Sequence, residues 1–368
     1  MPRLFLAVAA FAAFAAPSLA QETTPVDRAD GQDDRVEFDG LVQTQFNTTT
    51  ADAPDETELS LRRVRLGVVA ELTPAITGRI QAELANAAVG GSAELNEAYL
   101  LVRPAPAFGV IFGKAGRPFG IVDATGAAEL VPIERGARFR GADPVAQYKV
   151  LEALAYAGRS VGAQVIGDVE GLPVGLAYAA GYFRGTTAEE GGDADIHQLI
   201  ARVTLIPARG LAVSGAVTSR VFSREDPVGL GDEGALGADP QGETRRGAGF
   251  LVDVEVGENG RPGPHLVAEA AVGTINPYTD DRFRSLQGWA AYRVPVRAGV
   301  LQAVEPLFRA SVAEVDGALA DRDGLLLTPG VNLYGAENSR LMLNADVFFP
   351  GGDADPLVAF RAQAQVAF

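Results

Sequence analysis

The sequence predicts an all-β fold, a 16-stranded antiparallel transmembrane β-barrel, and three observations predict it. Apolar and polar residues alternate with a period of two in segment after segment, the spacing of a strand whose two faces meet different surroundings. The connections between segments are by turns short and long, as in an antiparallel ring with turns on one rim and loops on the other. Beyond the first 20 residues no stretch has the roughly 20 unbroken apolar residues that a spanning helix needs. A membrane crossing must therefore use strands, and strands in hydrocarbon must close on themselves to pair their backbone groups.

Residues 1–20 read as a secretory signal peptide: Arg3 is the one charge, Leu4–Ala16 is apolar, and Ser18-Leu19-Ala20 offers a small-x-small cleavage site. Residues 21–35 are a polar, acidic, flexible lead-in, and 36–368 form the barrel. The first strand is Val36–Phe46. The second is clearer: Val64, Leu66, Val68, Ala70 and Leu72 share one face, with Arg63, Arg65, Gly67 and Glu71 opposite. Ile80–Leu84, Ala98–Arg103 and Phe108–Phe112 follow. A long break runs from about Gly116 to Gly158, in which Val145–Ala157 is a short helix or an irregular segment. Strands resume at Ser160–Val169, Val174–Phe183, Gln198–Ile206 and Leu211–Phe222, then after a second long break at Gly249–Val256, Pro264–Ile275, Phe283–Val296, Val300–Val315, Gly324–Tyr334 and Arg340–Phe349. The closing strand sets Val358, Phe360, Ala362, Ala364, Val366 and Phe368 against Ala359, Arg361, Gln363, Gln365 and Ala367, and its terminal aromatic resembles the last strand of bacterial outer-membrane barrels.

Composition narrows the function. The net charge is −16, or −17 without residues 1–20, which argues against nucleic acid as a partner. There is no cysteine, hence no disulfide or thiolate chemistry. His197 and His265 lack metal-ligand spacing and read as rim or turn residues, so no metal and no cofactor is expected. Gly109 and Gly113-Lys114 lack the spacing and the Ser or Thr of a Walker loop.

Several stretches together resemble the phosphate-selective porin O and P family of Gram-negative outer membranes. Leu61-Arg62-Arg63-Val64-Arg65-Leu66-Gly67 is similar to that family's early strand, and Gly113–Gly120 to the entry of its third loop. Arg159, Gly162, Gln164 and Gly167 fit the strand after that loop, and Gly330–Tyr334 and Phe360–Gln363 the closing strands. The chain departs from the pattern in having Lys114 where the family usually has Gln and Gly116 where it usually has Lys; Lys114 and Lys149 are its only lysines. The resemblance implies a sixteen-stranded homotrimeric porin in outer-membrane lipid, with a long third loop folded into the lumen and cationic side chains guiding small anionic or polar solutes.

Strand parity turns Arg63, Arg65, Arg79, Arg103 and Arg309 inward, and Lys114, Arg117, Arg135, Arg138 and Arg140 lie on or at the base of the third loop. These ten are the candidate anion path. If the loop narrows the pore, its cations set an anion preference; if it does not, the wall arginines Arg63, Arg65 and Arg79 are next. Inward acids such as Glu71, Glu83, Glu97, Glu305 and Asp346 are available to pair with them. Two other classes stay open: a barrel hydrolase built on a histidine and a serine such as Ser160, Ser214 or Ser311, and a structural or adhesive barrel.

Overall fold

Alternation along β1 (Val36–Thr49) buries Leu41, Gln43 and Gln45 and exposes Val42 and Phe46, which sets the pattern for the whole wall. A computed structural model of the protein describes residues 35–49, 57–139, 142–145, 150–152, 154–169, 171–184, 197–223, 244–317, 323–336, 338–351 and 355–368. The expected signal peptide and most of the expected lead-in lie outside the described residues.

The strands that follow are β2 (Thr57–Thr73), β3 (Ile76–Glu83), β4 (Glu94–Ala105), β5 (Phe108–Gly116), β6 (Ala137–Phe139), β7 (Ala142–Val145), β8 (Arg159–Val169), β9 (Gly175–Arg184) and β10 (His197–Ala208). Then come β11 (Leu211–Ser223), β12 (Thr244–Val256), β13 (Gly263–Asn276), β14 (Asp281–Ala298), β15 (Leu301–Val315), β16 (Gly324–Tyr334), β17 (Ser339–Pro350) and β18 (Leu357–Ala367). Sixteen of these pair with their neighbours into one closed antiparallel barrel. β6 and β7 form a separate hairpin inside the third long connection, and β5 pairs directly with β8 across it. All sixteen segments read from the alternation are barrel strands.

Closure is made by β1 on β18, with Leu41 opposite Ala367 and Thr49 opposite Ala359. Phe368 adds a last rung: its N–H donates to Gly40 O (3.0 Å) and its carbonyl accepts from Gly40 N–H (2.8 Å). The Phe368 ring lies across Gly40, where any Cβ would overlap it, so the glycine makes a seat for the aromatic on the outer face. Deleting Phe368 removes both rungs and the ring. The expected result is a lower amount of assembled barrel with export intact, read by fractionation; an unchanged assembled level would show that this rung is dispensable.

Against β1 the register of β2 slips once, and the slip matters to the interior. Gln43 pairs with Arg63 but Thr44 pairs with Leu61, so Arg62 is the extra residue of a β-bulge. Both Arg62 and Arg63 therefore reach inward, while Leu59, Leu61 and Leu66 stay exposed on the outer face.

The inner face is not polar all round. Phe183, Ile200, Leu251, Phe283, Trp289 and Leu307 form one apolar cluster with Phe119, Leu130, Leu154 and Tyr156 of the third connection. A strictly polar lumen, as the alternation alone suggests, is corrected here: several inward positions of β9–β15 are apolar because chain covers them and keeps water off.

Candidate functional site in the barrel interior

Past β5 the chain turns back against the inner wall. Gly120 has φ +104° and sits so close to Glu269 that a Cβ would overlap the carboxylate, so this turn admits only glycine. A single helical turn, α1 (Ile121–Ala124), follows, and Val122 N–H donates to Glu269 Oε2 (3.4 Å). The segment then crosses the ring, tied by its backbone to side chains of successive strands. Gln43 Nε2 donates to Ala127 O (3.2 Å), Gln365 Nε2 to Ala128 O (2.9 Å) and Asn332 Nδ2 to Val131 O (2.9 Å). Asn344 Oδ1 accepts from Ile133 N–H (2.8 Å), and Asn259 Nδ2 donates to Glu129 O (2.9 Å) from the turn between β12 and β13. Each bond satisfies a loop backbone group that the barrel wall shuts off from water.

Glu134 is the charged anchor of this segment. Arg62 grips its two oxygens, Nε to Oε1 at 2.5 Å and Nη2 to Oε2 at 3.0 Å, and Arg63 Nη2 reaches Oε2 at 3.3 Å. Burial by itself would raise the carboxyl's pKa; Arg63 and Arg62 outweigh it and hold Glu134 well below the usual carboxylate range. Next to it Arg309 donates to Glu134 O (2.6 Å), to Thr328 and to Asp346 Oδ1 (3.0 Å), and Asp346 Oδ2 accepts from Arg361 Nε (2.6 Å). Arg309 and Asp346 are each 1% exposed.

Residues 36–170 match the family described as phosphate-selective porin O and P. The resemblance read from the sequence is thus shown over that stretch. No curated protein matches the sequence. Among solved structures, the anion-selective porin from Comamonas acidovorans is similar over 90% of this chain and 99% of its own, with TM-score 0.61 and 14% identity. OmpF of Salmonella typhi aligns over 90% and 97%, with TM-score 0.60 and 13% identity. The outer-membrane channel DcaP of Acinetobacter baumannii aligns over the same shares, with TM-score 0.57 and 15% identity. At these identities the likeness is one of fold, and the fold is that of an outer-membrane porin.

The barrel interior sorts the candidate residues into three groups. Beneath the loop are Arg63, with Glu134 and Gln43 Oε1 (2.7 Å), and Arg309 with Asp346. Arg117 and Arg135 hold the loop itself: Arg117 Nη1 donates to Ala157 O (2.8 Å), and Arg135 donates to Val122 O (2.9 Å) and to Thr125 O. All four are buried, Arg63 and Arg309 tying wall to loop, Arg117 and Arg135 tying the loop to itself.

The second group lies along β2–β5 and β8 and keeps contact with water. Arg65 pairs with Glu83 (2.8 Å), and Arg79 with Asp39 (2.8 Å) and Glu97 (2.9 Å). Arg159 reaches the other oxygen of Glu97 (2.8 Å). Side-chain exposures are 13% for Arg65, 16% for Arg79, 24% for Arg159 and 29% for Arg62. Arg103 is at the short-turn rim, bonded to Asp168 (2.5 Å) and Pro106 O (2.9 Å).

Of the third group, only Lys114 has a described side chain. Lys114 is corrected outright: it pairs with Ala98 and Val161, on the parity of the exposed Phe112 and Leu100, so its register places it on the outer face. Arg138 belongs to β6, but its side chain lies outside the described residues, as does Arg140. His265 is a second correction. It is a buried inner-wall residue with Nε2 2.9 Å from Glu255 Oε1 and its ring edge-on to Trp289, not a turn residue. His197 does sit at the rim, stacked on Tyr182.

Arg62 and Arg159 are interior cations that the alternation does not select. Arg62 had a trace in the sequence: apolar residues step by two from Leu59 to Leu61, by three to Val64, then by two again to Leu66. That one-residue phase change is what a bulge leaves. Arg159 starts its strand, and only the pairing of β5 with β8 brings it to Glu97.

Proposed function

We propose that the protein is an outer-membrane channel for passive diffusion of small anionic solutes, phosphate-like ions among them, with the passage running along the inner wall of β2–β5 and β8. One observation carries the reading: the loop and its apolar cluster cover the wall from β9 round to β1 and reach β2 at Arg62 and Arg63, whereas Arg65, Arg79 and Arg159 beyond that anchor keep contact with water. Arg65, Arg79 and Arg159 each donate through Nε to a carboxylate, Glu83 or Glu97, which limits how far each guanidinium can swing. Glu83, Asp39 and Glu97 line the same row, so what this wall offers a passing anion is the exposed edges of held guanidinium groups, which lower its barrier without binding it so tightly that it stays. Selectivity is assigned to this wall and not to the loop cations, because Arg117 and Arg135 are spent on backbone carbonyls. A homotrimer is the expected assembly, testable by cross-linking in mild detergent.

Reversal potential in a salt gradient tests the reading. An anion passing about 5 Å from a guanidinium gains about 0.8 kcal/mol at the dielectric of water, about fourfold in permeability. Arg65→Ala or Arg79→Ala should lower the chloride-to-potassium permeability ratio by about that factor. Arg135→Ala should leave the ratio less changed than either. Equal ratios in wild type and both wall variants would remove this wall as the selective element. Absence of ion conductance in planar bilayers would favour a structural or adhesive barrel.

A further inference from the structure

On the wall that the loop leaves open, the inner face of β4 reads Glu97, Tyr99, Leu101 and Arg103 from the loop side to the short-turn rim. Glu97 holds Arg79 and Arg159, and Arg103 is paired with Asp168. About 20 Å of strand separates Glu97 from Arg103. Between these two charged stations the wall is apolar. Leu101 is opposite Ile111 of β5, and Gly109 of β5 is opposite Ile166 of β8. A Cβ on Gly109 would come within 3.0 Å of Arg103 Cγ and 3.3 Å of Ile166 Cγ1, so the Arg103 methylenes and Ile166 both lean over that glycine. On the rung above, Tyr99 has Arg79 on one side and Gly113 on the other. The flank of Tyr99 toward β5 therefore has no side chain beside it.

A channel interior is ordinarily polar. The apolar inner residues of β9–β15 are explained by the loop that covers them, but Tyr99, Leu101, Ile111 and Ile166 are not part of that cluster. Ile111 is buried in the wall, and Tyr99, Leu101 and Ile166 are half-buried. Apolar surface left beside a water-filled passage is unfavourable until something apolar covers it. An inorganic ion has no surface to lay there. A carboxylate on an apolar body matches the order of the wall: its head meets the exposed guanidinium edges at Glu97, its body lies on Tyr99, Leu101 and Ile166, and Arg103 receives the head at the rim.

We propose that the passage is adapted to amphipathic organic carboxylates, aryl carboxylates above all, with Tyr99 as the residue that sets this preference. The proposal rests on the anion passage described above and names its solute class. The probe is benzoate, with acetate as control, added to full-length channels carrying chloride current in planar bilayers. Benzoate should lower the wild-type chloride conductance saturably at concentrations where acetate has little effect. Tyr99→Ala should raise the half-blocking benzoate concentration about three- to tenfold, the effect of losing one aromatic contact. Its chloride conductance in the absence of benzoate should persist, which shows that the barrel has folded. Tyr99→Phe keeps the ring and should keep the block. Ile166→Asn makes the strip polar and should weaken the benzoate block with the chloride-to-potassium ratio unchanged. Benzoate and acetate acting alike on wild type, or a benzoate block unaltered in both Tyr99→Ala and Ile166→Asn, would overturn the proposal and leave the anion passage standing. A wild-type channel that does not prefer chloride to potassium would overturn both.

Discussion

Glu134→Ala is expected to free the third loop from the β2 wall. The substitution leaves Arg62 and Arg63 facing each other in the interior with their shared carboxylate gone. Removing one partner of a fully buried ion pair costs about 3–5 kcal/mol; here the cost falls mainly on the buried Arg63, which keeps only Gln43, while Arg62, 29% exposed, is partly hydrated. The barrel's own ladder does not run through Glu134, so the cost falls on loop docking and not on closure of the ring. Single-channel conductance should rise and become noisier, while the heat-dependent gel shift persists. Glu134→Gln keeps the shape and loses the charge, and should fall between the two. Unchanged conductance in both variants would mean that the loop is held by its backbone bonds and apolar cluster alone. The same anchor makes the docking pH-dependent. The folded pKa of Glu134 lies below its unfolded value, so its contribution is complete above the ordinary carboxylate pKa of about 4.3 and is lost as pH falls below it. Acidification should therefore loosen the loop in wild type and have less effect in Glu134→Ala.

Leu66→Arg is expected to damage the barrel from outside. Leu66 is 52% exposed on the outer face of β2, opposite Gly40 and Ala82. An arginine there costs about 2–4 kcal/mol if the position is at the bilayer midplane, since hydrocarbon offers the charge no partner. The neighbouring Arg65, one residue away, is an inward group paired with Glu83. Unfolding in lipid vesicles, compared between Leu66→Arg and wild type, measures the effect. An unchanged midpoint would place Leu66 against water or another subunit and not against lipid.

Most of the wall is legible in the sequence because a strand's side chains alternate with an invariant period, and each face of a barrel strand meets one medium over its length. That is why β2 and β18 can be read residue by residue, and why Leu66 and Arg65 are assigned opposite faces without a structure. Where the rule fails, a local or a distant cause can be named. Arg62 turns inward because a bulge shifts the phase. Phe183, Leu251 and Trp289 are apolar yet inward because the loop covers them. Lys114 belongs to the outer face because the ladder of β4, β5 and β8 sets its parity, whereas in sequence it adjoins the loop.

The sequence by itself determined the strands, the two faces and the supply of interior arginines, since all three follow from local alternation. Only the tertiary structure decided which arginines still meet water. Arg309 and Arg65 have the same parity and the same chemistry, but one is sealed under the loop against Asp346 and the other lies on the wall left uncovered. That difference depends on contacts between residues more than a hundred positions apart, such as Arg309 with Glu134 and Gln365 with Ala128. A period of two carries no information about such distances, so a pore's charged residues can be read from its sequence but its path cannot.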